Sequence, residues 1–256
     1  MDYTVKELHI NNINMLDDIY KYTQLKSLEC CSIKITKLDN LPQTLKRLDC
    51  RNNQLMELAN LPLTLKTLYC SNNQLALLDN LPQNLKCLDC SYNPITNMDN
   101  LPLTIKALNC GYTPITKLDN LPLTLEALSC YDTKLSSLNN LPPALKALDC
   151  SNNNINSLSN LPKNLIYLDC RSNTLSSLNN LPPTLKVLLC SGNKITKYDN
   201  SRTPKLTTLY CDTFCDTLDI DIQNVIRPTY FAHFITEANF LNELYCIYVD
   251  DEYFNH

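Results

Sequence analysis

Nine cysteines fall at positions 30, 50, 70, 90, 110, 130, 150, 170 and 190, a strict interval of twenty residues. Cys211 follows at twenty-one, after the irregular stretch SRTPK. A fixed period of this length means that one small unit has been copied end to end. Each copy carries Leu-x-x-Leu-x-Cys-x-x-Asn-x-Leu-x-x-Leu-x-Asn-Leu-Pro, as in Leu45, Leu48, Cys50, Asn53, Leu55, Leu58, Asn60, Leu61 and Pro62. A degenerate copy with Val5, Leu8, Ile10 and Ile13 opens the chain, giving eleven copies that end near residue 211.

Spacing inside the copy dictates the local structure. Leu48 and Cys50 lie two apart, the period of a strand with one buried face. Beyond Asn53 the apolar spacing widens to three. Leu61-Pro62 and its equivalents must be extended, because a residue before proline is steered out of the helical region. Twenty residues leave no length for a helix on the return. One such coil buries too little to offset the entropy of ordering its backbone, so coils must stack as a solenoid. With strands about 4.8 Å apart, eleven coils give a parallel sheet roughly 50 Å long.

The pattern Leu-x-x-Leu-x-Leu/Cys-x-x-Asn-x-Leu, repeated over about residues 5–212, resembles the leucine-rich repeat family. The short unit with Leu-Pro, as in NLPLTLKTL from Asn60, is similar to the repeats of bacterial secreted effectors. The Cys-for-Leu substitution and the Asn/Lys/Ile-rich wording are similar to repeat proteins of giant DNA viruses and their amoebal hosts. The resemblance implies an α/β-class leucine-rich repeat solenoid: a right-handed, curved superhelix with parallel strands on the concave face and non-helical convex returns. We expect it over residues 1–212, with 1–24 as a degenerate capping repeat, and a C-terminal cap over 213–256.

The inward thiols admit three uses: disulfides, metal ligands or core packing. Parallel side chains one strand apart point the wrong way for a disulfide, and a straight row cannot wrap a tetrahedral ion. Free cysteine behaves as a small buried hydrophobe, so packing is the expectation. The Asn at 53, 73, 93, 153, 173 and 193 is expected to bond buried backbone of the turn leaving the strand. The Asn at 40, 60 and onward to 200 is expected to form the convex turns, since only two glycines are present.

The columns between the inward residues face the concave side and vary from coil to coil. Cys87, Ala107, Ala127 and Ala147 form a shallow apolar strip, with Tyr69, Tyr92, Tyr112, Tyr131 and Tyr167 around it. Arg47, Arg51 and Arg171 add the other residue type enriched at interface hot spots. Asp89, Asp149 and Asp169 (with Asp49) add acidic points that favour a partly basic partner. These residues are the candidate partner-binding set. A lysine column at 6, 26, 46, 66, 86, 106, 146 and 186 sits one residue earlier, at the rim, where it serves solubility; phosphate binding is the weaker alternative.

All five phenylalanines lie after Cys211, and Phe231, Phe234, Ile235, Ala238, Leu241 and Tyr245 fall at helical spacing, suiting a cap or a partner-binding extension. Cys211, Cys215, His233 and Cys246 make a poor zinc set, since no Cys-x-x-Cys occurs among them and only Cys211 and Cys215 are close in sequence. A net charge of −4 gives no overall basic field for nucleic acid. The opening MDYTVKELHI lacks the layout of a secretory signal, no apolar run reaches membrane-spanning length, and fourteen cysteines suit a reducing cytoplasm, that of a host if the source is viral.

The expected function is a monomeric, non-catalytic module that grips a protein partner on its concave sheet, with no cofactor and no metal. Some bacterial effectors with similar repeats carry a ubiquitin-ligase domain, but about 45 residues after the repeats are too few for one. Self-association through uncapped ends is the structural alternative.

Overall fold

Three-residue strands recur once per coil: β1 Glu7–His9, β2 Ser27–Glu29, β3 Arg47–Asp49, β4 Thr67–Tyr69, β5 Cys87–Asp89 and β6 Ala107–Asn109. They continue as β7 Ala127–Ser129, β8 Ala147–Asp149, β9 Tyr167–Asp169, β10 Val187–Leu189, β11 Thr208–Tyr210 and β12 Asn224–Ile226. These elements come from a computed structural model, which describes residues 2–196, 203 and 205–211 and the strand at 224–226. All strands join one parallel sheet in chain order. Register is twenty to twenty, with Leu48 opposite Leu28 and Leu68, as the period requires. One strand, β12, lies beyond the expected end of the solenoid at residue 212.

Among the described residues the returns are non-helical with one exception. In the first coil a 3₁₀ helix, Ile13–Lys21, fills the return, capped by the Asn12 side chain, which accepts from the Asn14 N–H. That coil lacks the Leu-Pro pair that holds later returns extended. The C-terminal cap and its helical spacing fall outside the described residues.

Leucines at the 45, 48, 55 and 58 positions and the thiols form one continuous core along the stack. Among the described residues, ten of the eleven free cysteines are buried. Cys211 takes part in a disulfide whose partner lies outside the described residues. The thiols also do something that packing does not require. Cys50 Sγ donates to the Tyr69 carbonyl at 3.4 Å, and Cys70 Sγ to the Asp89 carbonyl at 3.3 Å, so each links its coil to the next. A leucine at the same place fills the space without that bond. Burial pushes the Cys30 and Cys110 thiols up to about 12.

Asparagine ties the same joints more firmly. Asn73 Oδ1 accepts the Leu55 N–H at 3.0 Å, while Nδ2 donates to the carbonyls of Cys50 and Cys70 at 3.1 and 3.0 Å. One carboxamide therefore bonds its own coil and the preceding one. Asn93, Asn153, Asn173 and Asn193 repeat the arrangement. Thr113 and Thr133, which replace it in two adjacent coils, donate to Cys110 and Cys130 of their own coils at 2.7 and 2.8 Å. A hydroxyl is too short to reach the preceding coil. A threonine ladder on the other side of the strand adds a further link: Thr64 Oγ1 bonds the Gln43 and Leu45 carbonyls of the coil before it. The convex asparagines behave as expected, with positive φ at Asn40, Asn60, Asn80, Asn100, Asn120, Asn140 and Asn180.

Two outcomes follow. Asn153→Ala should lose about 1–3 kcal/mol, the penalty for orphaned buried polar groups, whereas Thr113→Asn should raise stability by about 1 kcal/mol by restoring the missing link. Urea midpoints measure both. Separately, maleimide should leave the ten buried cysteines unmodified in the native protein, because they are both enclosed and held as neutral thiols, and should label all of them in urea. Peptide mass spectrometry gives the site-by-site answer.

Candidate functional site

The concave face is less open than alternation alone implies. Ala107, Ala127 and Ala147 project away from the leucine core, yet each is 1% exposed, and with Cys87 and Tyr167 they form a second apolar cluster against which Tyr69, Val187 and Leu189 pack. The apolar strip is thus a buried floor and not an open groove.

Its carboxylates are internally bonded. Asp49, nearly fully buried, takes the Arg51 guanidinium on both oxygens at 2.8 and 2.7 Å, with Arg47 3.6 Å away. Burial pulls the Asp49 carboxyl up, but the bonds from Arg51 and Cys31 outweigh it and hold the group below its ordinary value. Asp169 pairs in the same way with Arg171. Asp149 accepts from the Ser151 N–H and hydroxyl at 3.0 and 2.7 Å. Asp89 accepts the matching bonds from Ser91 at 3.1 and 2.7 Å, too weak to offset burial, which leaves its carboxyl above the usual range. The expected attraction for a basic partner loses its basis here, because two of these four acids are neutralised by arginine within the coil. Arg47 and Arg51 also lie over the Tyr69 ring, 5.1 and 5.5 Å from its centre.

Near the first coils, Glu29, Cys31 and Asp49 bring ligand atoms within 4.8 Å of one another, and His9 Nδ1 is 3.3 Å from Glu29. Cys31 Sγ donates to Asp49 Oδ1 at 2.9 Å. With Arg51 already on both Asp49 oxygens, this cluster is an ion-pair network and offers a cation little charge to gain.

Apart from Arg51, which is bonded to Asp49, the exposed members of the candidate set are aromatic and stand at the edge of the floor. Tyr92 and Tyr112 are 47% and 44% exposed, with rings stacked at 4.3 Å. Tyr131 closes against Tyr112 edge-on at 5.2 Å. Both exposed tyrosines sit at φ of 53° and 52°, in a turn column otherwise held by Asn52, Asn72, Asp132, Asn152, Ser172 and Gly192. A bulky residue is uncommon there and costs roughly 1–2 kcal/mol relative to ordinary backbone. Gly111 makes the cluster possible, since a methyl group at its Cα would overlap the Tyr131 ring. The Asp132 carboxylate raises the Tyr112 hydroxyl above its usual range. Sequence reasoning passed over Gly111 and Asp132. The signal was present: Gly111 is one of only two glycines, and it precedes Tyr131 in its column.

No protein-family model and no curated protein matches the chain. Solved structures do. The functional domain of InlJ from Listeria monocytogenes, which includes a cysteine ladder, is 35% identical over 81% of this chain and 48% of its own, with a TM-score of 0.70. YopM from Yersinia enterocolitica is 36% identical over 73% of this chain and 46% of its own, with a TM-score of 0.65. A Shigella effector repeat domain is 26% identical over 72% of this chain and 78% of its own, with a TM-score of 0.55. The chain spans about half the length of the first two. With the twenty-residue register, the single parallel sheet and these likenesses together, the chain is a leucine-rich repeat protein.

Proposed function

We propose that the protein is a non-catalytic module that binds a protein partner through the aromatic edge of its concave sheet. The observation that carries this reading is the pair Tyr92 and Tyr112: exposed, stacked and held in left-handed backbone. Stacking offsets only part of the backbone strain at this exposed pair, and such strain gathers where proteins bind. Tyrosine supplies a large, stiff contact surface at low entropic cost, which is why it dominates hot spots. Tyr131, Asp132 and Gly111 belong to the same patch. Ala107, Ala127, Ala147, Asp149, Tyr167 and Asp169 act beneath it as support.

Chemistry on a substrate has little to work with. Among the described residues ten of the eleven free thiols are enclosed, and Cys31, partly exposed, is pushed up to about 12 by burial and by its bond to Asp49. Among the described residues no helix is long and apolar enough to cross a membrane. The relatives extend the reading by analogy only, since the Shigella protein is named as an effector.

The double variant Tyr92→Asn, Tyr112→Asn tests the proposal. Asparagine accepts the turn conformation, so relief of strain offsets the lost stacking and the urea midpoint should stay within about 1 kcal/mol of wild type. Proteins captured specifically by the wild type should be lost. An unchanged captured set, from a variant of unchanged stability, would remove the tyrosine edge from consideration.

A further inference from the structure

Charge is segregated along this chain. Residues 1–211 hold 21 of its 22 lysines and arginines and 17 of its 26 carboxylates, net +4; residues 212–256 hold Arg227 and nine carboxylates, net −8. Five of those nine follow β12, three of them consecutive at Asp250, Asp251 and Glu252.

The solenoid concentrates its positive charge in one line. Lys6, Lys26, Lys46, Lys66, Lys86 and Lys106 occupy the residue before each strand without a break, and Lys146 and Lys186 continue the column. Their backbones are in register, each N–H on the carbonyl of the coil before: Lys46 on Lys26, Lys66 on Lys46, Lys86 on Lys66, all at 2.8 Å. Side chains are therefore stacked about one strand spacing apart. Glu126 is the single carboxylate in the column, 3.3 Å from Lys106 and 2.6 Å from Lys146. Like charges in a row repel at this spacing, and an anion laid along them removes the repulsion. At its far end the column opens into a cleft of about 520 Å³ lined by Glu126, Lys146, Asn164, Thr184, Lys186 and Lys205.

β12 pairs with β11, so the acidic segment leaves the sheet at that same end. The thirty residues after β12 could extend up to about 100 Å, while the whole column spans roughly 50 Å. Reach is not limiting, and tethering raises the local concentration of the acidic segment to the millimolar range. We propose that the acidic C-terminal segment, residues 227–256, docks on the lysine column of its own solenoid. It competes there with any acidic partner from outside. The inference stands on charge, register and chain length, and does not depend on the tyrosine edge being a binding site.

Zero-length carbodiimide cross-linking of the full chain, followed by peptide mapping, tests it. Lys146–Glu126, Lys106–Glu126, Lys37–Asp39 and Lys21–Asp18 are ion pairs within the solenoid and serve as internal references. The expected result is additional links from Lys86, Lys106, Lys146, Lys186 or Lys205 to carboxylates after residue 226, within the monomer. These should fall at least threefold in 0.5 M salt, and in Asp250→Asn, Asp251→Asn, Glu252→Gln, while Lys37–Asp39 stays linked in the variant. Reference links alone would overturn the proposal. So would tail links found only in cross-linked dimers whose yield rises with concentration, which would assign the column to a second copy.

Discussion

A carboxamide that bonds two coils at once is the interaction on which this stack depends. Each strand is only three residues long, so the ladder alone fixes little of a twenty-residue coil. The turn leaving the strand points backbone groups inward, where they would be buried without partners. Asn73 satisfies the Leu55 N–H of one coil and the carbonyls of Cys50 and Cys70 in two. That geometry works at one register only. A shift of one residue would strand both ends of the side chain, which is why the period is held at twenty through nine consecutive cysteines. The Cys50 thiol reinforces the same joint through a weaker bond to the Tyr69 carbonyl.

Departures from the repeat are informative because the interior is so uniform. Thr113 and Thr133 give up the bond to the preceding coil, and the tyrosine cluster is built across those joints, with Tyr92 and Tyr112 stacked and Tyr131 set against them. Gly111 lies between, clearing space for the Tyr131 ring. Stacking recovers part of the cohesion that the missing asparagines would have provided. A local weakening of the staple, a strained turn and an exposed aromatic pair thus meet within three coils. Repeat proteins divide labour in this way: columns that face inward are constrained by every neighbour, and a binding feature appears as a local break in the outer columns.

Much of this was legible in the residues. The interval between cysteines gives register, the Leu-x-Cys spacing gives the strand, and a polar amide at an inward position demands buried backbone to bond. Asparagine also announces the convex turns, since it tolerates positive φ where glycine is scarce. What alternation could not convey is exposure. It assigns Ala127 and Asp149 to the outer side of the sheet, and both are 1% exposed. Pairing was also partly hidden. Asp49 and Arg51 stand two apart on one face, as do Asp149 and Ser151, so those bonds could have been anticipated, whereas the bond from Cys31 across the coils to Asp49 gives no sequence signal. The first return carries no Leu-Pro, and there a 3₁₀ helix forms where an extended return was expected.

The two features available for contact lie on opposite borders of the same strands. Lysines precede each strand and the tyrosines follow, six residues apart in Lys86 and Tyr92, or roughly 20 Å if extended. Between them the floor is buried, and two of its four acids are neutralised by arginine, so it contributes shape more than field. An apolar ligand would gain at the tyrosine border alone, and an acidic one at the lysine border alone. A ligand with both characters, spanning the strand width, would gain at each without paying for its connection twice. Under the proposed reading, discrimination between partners would rest on the distance between a ligand's aromatic contact and its acidic one, which the strand length sets.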